Sequence, residues 1–432
     1  MRKSLSAGAL LRAGASNGGP DRRLAFLALV LGLAAGSLVA AHPAPWARAL
    51  LTWVEPVGTL WVNALRMAVV PLVVSMLVAG IAAVPDAGAA RRVGGTALAV
   101  WLLLLGVAAA LGLTLVPFLF TGFRVDPAAA AALRASAASL AERTAEGIGQ
   151  LPSYSRWLVE LVPTNPVRAA ADGAMLPLVV FSLAFGLALG RVRAPGRDAV
   201  LHLFGGVAEA MLVLVRWVLA LAPAGVFALS AGVAARVGVA AAGALGYYLA
   251  ATAVSMAALT LALYAAAVLL GRVGPRALGR ALLPAQVIGL ASRSSLASLP
   301  AQAEAAARLG LPPHAVGFVL PLAVASFKPH APVNWSALAL VAALLYGVPL
   351  GPAELLTVVG AAALLSFAVP GIPSAGMLLI APVFAEVGVP VEAIGLLIAV
   401  DAIPDMFKTA ANVTGQFASA VIVARFAGGE AR

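Results

Sequence analysis

Long apolar runs separated by short polar breaks dominate the chain. Runs at about 24–41, 57–84, 96–120, 173–190, 207–233 and 237–270 are each near or above the length that crosses a bilayer as a helix, roughly 20 residues. The carboxy-terminal part differs in kind. Segment 278–307 is interrupted by LASRSSLASLP, and segment 353–386 by FAVPGIPSAG. A Ser-rich and a Pro/Gly-rich break inside apolar stretches predict re-entrant hairpins with non-helical tips, because such backbone survives at membrane depth only when buried in protein or lining a cavity. Each break precedes a full span with polar residues: 314–345, carrying Lys328, His330 and Asn334, and 391–424. The order hairpin, helix, hairpin, helix points to a secondary transporter of inverted-repeat design. Pro- or Gly-kinked ordinary spans are the alternative, which one break would suit and two matched breaks suit much less.

Composition narrows the class. Of 432 residues 62% are hydrophobic and 10% charged, with a mean hydropathy of +1.02, which predicts an all-α polytopic membrane protein. With no cysteine there is neither a disulfide framework nor a thiolate metal site. The histidines His42, His202, His314 and His330 lack metal-ligand spacing. A net charge of +11 raises the question of nucleic acid, but the basic residues are scattered through short loops, where lipid headgroups and the positive-inside rule account for them.

Their distribution sets orientation. Arg22 and Arg23 precede the first run, Asp86, Arg91 and Arg92 separate the second and third, Arg191, Arg193 and Arg197 follow the fourth, and Arg272, Arg276 and Arg280 follow the sixth. The alternate loops carry Arg48 alone and Arg236 alone. The amino terminus is therefore expected inside, in the cell inner membrane. Residues 1–23, basic and rich in Gly and Ser, read as a disordered cytoplasmic tail. A twin-arginine or Sec signal competes, but the following run is long enough to span and lacks a convincing cleavage site, favouring an uncleaved first helix. Stretch 122–172 reads as short amphipathic helices or an extracytoplasmic excursion.

The candidate chemistry lies in the last segment, GLLIAVDAIPDMFKTAANVTGQFASAVIVAR (395–425). Each ionisable group at the centre of a membrane helix costs roughly 2.5–3.5 kcal/mol, so Asp401, Asp405 and Lys408 demand a reason. Relative to Asp405, Asp401 lies at −4, Lys408 at +3, Thr409 at +4 and Asn412 at +7, one polar stripe turned inward. A buried ion pair between helices is the plain explanation. Carboxylate, ammonium, hydroxyl and amide on consecutive turns better suit a binding site for a small zwitterion or dicarboxylate.

At these residues the chain resembles the dicarboxylate/amino acid:cation symporters, the glutamate transporter family. VGTLWVNALRMAVVPLVVSMLVAGIAAV (57–84) is similar to the family's second span, and LVPTNPVRAAADGAMLPLVVFSLAFGLALG to its fourth-helix region. SRSSLASLP resembles the first hairpin tip, GIPSAG the second, and DAIPDMFKTAANVTG the last helix. The likeness runs from about residue 24 onward. It implies eight spanning helices, two opposed hairpins and a homotrimer. Scaffold helices would occupy approximately 24–84 and 122–235, and a transport domain moving across the membrane approximately 91–121 and 236–426. By the same resemblance Ser294 and Ser295 would face a substrate carboxylate, and the backbone of Ile372, Pro373, Ser374 and Gly376 would close the outer lid. Asp405 would hold an amino group, and Thr409 and Asn412 the main-chain end. Lys408 stands where members taking acidic substrates carry arginine, keeping the charge without the bidentate fork. Arg293 would balance Asp405 in the empty site.

The sequence also departs from the family. The family's NMDGT in the seventh span reads FKPHA here (327–331), so Phe327, Pro329 and Ala331 replace amide, carboxylate and hydroxyl. Gln416 stands for a sodium-ligating aspartate, Val369 replaces a threonine, and VWLLLLG (100–106) lacks the hydroxyl pair expected nearby. Hard cations need several oxygen ligands, so the sodium sites are expected to be lost. A slipped alignment, with Asn334 and Ser336 as displaced ligands, is the alternative. No cofactor and no resident metal are expected. Lys328, His330 and Asp401 are coupling candidates, with Asp405, for a proton as driver. The expected function is secondary active transport of aspartate/glutamate or C4-dicarboxylates by an elevator-type mechanism, with a small anionic solute and membrane lipid as partners and no nucleic acid. An anion-conducting channel or a non-transporting substrate sensor on the same fold is the alternative. Without HExxH, GxSxG or a recognisable Ser/His dyad, an enzyme is not expected.

Overall fold

The computed structural model describes residues 22–42, 44–82, 87–123, 125, 130–131, 134, 159–237, 246–312, 315–367 and 375–427. Every regular element among them is helical: α1 (Arg22–Ala41), α2 (Pro45–Ala82), α3 (Ala87–Phe120), α4 (Pro166–Ala171), α5 (Met175–Leu189), α6 (Gly196–Ala220), α7 (Ala222–Val237) and α8 (Gly246–Gly271). There follow α9 (Pro275–Ser292), α10 (Ser295–Arg308), α11 (Leu320–Ser326), α12 (Ala331–Tyr346), α13 (Pro352–Leu365), α14 (Ala381–Glu386), α15 (Ala393–Val400) and α16 (Ala402–Ala427). A π-helical turn, Ala315–Val319, leads into α11, and a 3₁₀ turn, Ala375–Ile380, into α14.

Five segments of the described residues are long and apolar enough to cross a membrane: Ala49–Ala79, Arg92–Phe120, Gly196–Ala220, Gly246–Gly271 and Ala315–Tyr346. Their faces differ. Trp53 and Trp217 are 81% and 69% exposed, as lipid-facing side chains are, whereas α12 is buried along most of its length. The chain is a multi-pass helical membrane protein.

Local chemistry explains several boundaries. In PTNP, Asn165 caps α4, its Oδ1 accepting from the N–H groups of Val167 at 2.9 Å and Arg168 at 3.1 Å, with Pro166 as first helical residue. The expected single run 207–233 is instead split at Leu221, between α6 and α7. Pro223 opens α7 and has no N–H to continue α6. Arg48 lies inside α2 rather than in a loop, because that helix begins at Pro45 and absorbs the polar residues before the apolar run.

Helix packing falls into two groups. In one, α1, α2, α5, α6 and α7 touch one another; in the other, α3, α8, α9, α10, α12, α13 and α16 do. The first group uses small residues for close approach. A Cβ at Gly36 of α1 would lie 2.2 Å from the Ala231 carbonyl oxygen of α7, and one at Gly32 would meet the Phe227 carbonyl oxygen at 2.6 Å. Gly32 and Gly36 thus form a G-x-x-x-G contact. The groups meet where α2 touches α10 and the π-helical turn, where α1 and α7 touch α9, and where α7 touches α16.

The second group positions the polar residues. Neither α9, with 18 residues, nor α10, with 14, is long enough to cross a hydrocarbon core of about 30 Å, at about 27 Å and 21 Å. They pack on each other across a two-residue break, Arg293 and Ser294. The expected span 314–345 is interrupted at Phe327–His330, between α11 and α12, where Pro329 and Pro332 disfavour a continuous helix. The expected span 391–424 breaks at Asp401, between α15 and α16, three residues before Pro404. Of the second expected hairpin tip, Ile372, Pro373 and Ser374 lie outside the described residues, as does Val369, while Gly376 belongs to the 3₁₀ turn.

Candidate functional site

The polar stripe of the last helix faces inward. Asp401, Asp405, Lys408, Thr409 and Asn412 are all buried. Lys408 Nζ donates to both oxygens of Asp401, at 2.7 and 2.8 Å, and lies 3.3 Å from Asp405 Oδ1. Two helical turns separate Asp401 from Lys408, and the long lysine side chain spans them. Asp401 thus neutralises Lys408 in this conformation. The other carboxylate is half used: Asp405 Oδ2 is buried without a hydrogen-bond partner. A buried carboxylate oxygen left so is costly, and an ammonium or another donor would satisfy it.

The break between α9 and α10 supplies the facing wall. Arg293 ends α9 with φ 52°, in the left-handed region that non-glycine residues rarely occupy. Such strain clusters at functional turns. Ser294 caps α10, accepting from the Ala297 N–H at 3.2 Å, and Ser295 Oγ lies 3.4 Å from Lys328 Nζ. Ser294, Ser295 and Lys328 are buried. The Arg293 charge acts on Asp405, so this break and the last helix share one electrostatic environment.

The Phe327–His330 turn completes the cluster. Lys328 Nζ also donates to the Val324 carbonyl. The His330 backbone N–H points at Asn412 Oδ1 at 3.3 Å, and His330 Nδ1 lies 2.9 Å from the same oxygen. The backbone N–H can only donate, so it identifies that atom as the amide oxygen, and Nδ1 is the protonated ring nitrogen. Asn412 therefore turns its NH₂ away from His330. Thr409 Oγ1 donates to the Asp405 carbonyl at 2.7 Å.

Around Phe327 and Gln416 the donor set does not fit a cation cage. Phe327 stacks on Trp101 of α3 with centroids 5.4 Å apart and planes 9° apart, and Phe367 lies against Trp101 at 6.2 Å. Pro329 packs so closely on α16 that a Cβ at Gly415 would lie 2.6 Å from its Cγ. Gln416 Nε2 donates to the Phe327 carbonyl at 3.1 Å, and Gln302 Nε2 bonds Ser298 Oγ at 3.0 Å and Gln416 Oε1 at 3.4 Å. Aromatic rings and amide side chains fill this space; Gln302 Oε1 is left without a partner, but among the described residues the carboxylate oxygens that a hard cation prefers are missing here. Of the displaced-ligand candidates, Ser336 is engaged with the Gly112 carbonyl at 2.7 Å, while Asn334 Oδ1 is buried without a partner. Among the described residues no group of three or more His, Cys, Asp or Glu is placed to hold a metal ion.

The structure thus brings Arg293, Ser294, Ser295, Lys328, His330, Asp401, Asp405, Lys408, Thr409 and Asn412 into the packed contacts between α9, α10, α11 and α16. Gly376 sits in a turn packed on α14 and α15. Sequence reasoning missed Trp101, Gln302 and Phe367. Gln302, an amide buried in α10, is the available signal; Trp101 looks like any aromatic in a span.

Residues 23–426 match the model of the "Sodium:dicarboxylate symporter family". Relatives include a "Proton/glutamate-aspartate symporter" from Escherichia coli (strain K12), 30% identical over 92% of this chain and 91% of its own length. A "Proton/sodium-glutamate symport protein" from Geobacillus stearothermophilus is 26% identical over 93% of each chain. A "C4-dicarboxylate transport protein" from Deinococcus radiodurans is 26% identical over 93% of this chain and 89% of its own. A match this continuous runs through both packing groups and the buried stripe, and this chain belongs to the sodium:dicarboxylate symporter family.

Proposed function

We propose that the protein is a secondary active transporter of small acidic solutes, aspartate/glutamate or C4-dicarboxylates, working without sodium. The observation that carries this reading is the buried Asp401–Lys408–Asp405 cluster, with an unpartnered Asp405 Oδ2 beside the Arg293–Ser295 break. Lys408 supplies charge for a distal carboxylate once Asp401 shares it, Asp405 receives an amine where the solute has one, and Asn412 offers its NH₂ to a carboxylate. The family's printed description names dicarboxylate, and the relatives' names cover both amino acids and C4-dicarboxylates, which supports the broad class.

Sodium independence is supported by the aromatic and amide filling around Phe327 and Gln416. The Escherichia coli relative is named for a proton, and a proton is the driver we assign here, with His330, Lys328, Asp401 and Asp405 as candidate carriers. We further assign the arrangement the resemblance implies: eight spans, α9–α10 and the region around Gly376 as opposed re-entrant hairpins, a homotrimer, and an amino terminus in the cytoplasm. In an elevator-type cycle the helices at approximately 91–121 and 236–426 move against those at approximately 24–84 and 122–235.

Thermal unfolding of the purified protein with aspartate, glutamate, succinate, fumarate and neutral amino acids tests the substrate class, because a ligand of the native state raises the melting temperature by mass action. Acidic ligands are expected to stabilise it and neutral ones not. Uptake into liposomes with choline replacing sodium tests coupling, and the expected result is unchanged uptake. Binding without uptake would move the protein to the sensor class, and currents without saturable uptake to the channel class.

A further inference from the structure

Two buried lysines lie in the site, and their surroundings differ. Lys408 is held by Asp401 and Asp405. Lys328, 1% exposed, has the Val324 carbonyl and, at 3.4 Å, the Ser295 hydroxyl. Among the described residues no Asp or Glu oxygen pairs with it. An ammonium carries three donors, and neutral oxygens satisfy hydrogen bonds without cancelling charge. A buried cation in this state is unfavourable unless a counter-charge arrives.

Its position says where that counter-charge comes from. The Nζ atom reaches the first residue of α10, beside Arg293 and Ser294. Two residues on, His330 holds the amide of Asn412. The cluster holds three formal cations, Arg293, Lys328 and Lys408, against two carboxylates, Asp401 and Asp405, so one positive charge is left over. We propose that Lys328 is a ligand of the transported anion. It is a tethered ammonium that, with Ser295, takes one carboxylate of the solute and supplies the balancing charge, so that no dissolved cation need accompany it. This deepens the transport function and rests on it. With Lys328 as the fixed charge, the proton candidates reduce to His330, Asp401 and Asp405.

The test removes the ammonium and gives it back. Lys328→Ala deletes the atoms of n-propylammonium, Lys328→Met fills the space without charge, and Lys328→Arg keeps the charge. Each is compared with the wild type by size-exclusion profile, thermal unfolding and liposome uptake, using the acid that most stabilises the wild type. Lys328→Met is expected to bind that acid about thirtyfold more weakly, as when one member of a buried charge pair is removed, and Lys328→Arg to stay within a few fold. Propylammonium chloride is expected to stabilise Lys328→Ala and restore part of its uptake, with no effect on the wild type or on Lys328→Met. Wild-type affinity in a monodisperse Lys328→Met overturns the proposal, as does a Lys328→Arg as weak as Lys328→Met. A wild type that responds to none of the acids overturns the transport reading together with this proposal, whereas a responsive wild type and an equally responsive Lys328→Met overturn this proposal alone.

Discussion

Lys408 and Asp401 form a chelate inside one helix–turn–helix, and each needs the other. Removing one member of a buried pair typically costs 3–5 kcal/mol, because it leaves the partner charged and unmatched. Asp401→Asn is expected to destabilise the protein by about 3 kcal/mol, the lower end, since Asp405 stays 3.3 Å from Lys408. Adding Lys408→Met to that variant should recover much of the loss, which a double-mutant cycle by thermal unfolding measures. Lys408→Ala alone should abolish the response to acidic ligands. His330→Ala should weaken ligand binding through Asn412 by the worth of one hydrogen bond, about 0.5–1.5 kcal/mol, read as a several-fold rise in Kd. The inward stripe at Asp401, Asp405, Lys408, Thr409 and Asn412 was legible in the sequence, because helical spacing alone puts them on one face. Their division of labour was not. Which carboxylate takes the lysine depends on rotamers and on the turn at Asp401, and spacing allows either.

At the scale of elements, the break in SRSSLAS was legible for a physical reason. A polar run at membrane depth needs protein around it, and Arg293 and Ser294 do end one buried helix and start another. The splits at Leu221 and at Phe327–His330 were harder to see. The first run stays apolar across its break and the second is broken only by Lys328 and His330, so Pro223, Pro329 and Pro332 alone mark the missing backbone donors. The α1–α7 contact was equally hidden, since G-x-x-x-G is common by chance and names no partner. Its consequence can be measured: Gly36→Leu drives a side chain into the Ala231 carbonyl, where backbone must move, and overpacking of this kind costs about 1–3 kcal/mol or more. A lowered melting temperature with ligand affinity retained is the expected result, because Gly36 meets Ala231 and Ala234 of α7 and none of the stripe residues.

At the scale of the whole molecule, the arrangement separates a lipid-exposed face from a buried polar one. Helix α6 faces outward, and α16 is enclosed on every side over residues Ala411–Val423. Family membership could be read from motifs spread along the chain, whereas the departures acquire meaning only when their neighbours are seen. Phe327 in place of a polar residue is a loss on paper; stacked on Trp101, it is a filled space. Replacing Phe327 with Asn should therefore not bring back sodium dependence. It should leave a void beside Trp101 and lower stability by about 3–5 kcal/mol, as large-to-small core changes do, with uptake in choline and in sodium still equal. The same stack makes the space hard to reopen. With two rings stacked there and a proline wedged against Gly415, no single substitution opens a chamber, and making room for an ion would mean rebuilding several walls at once.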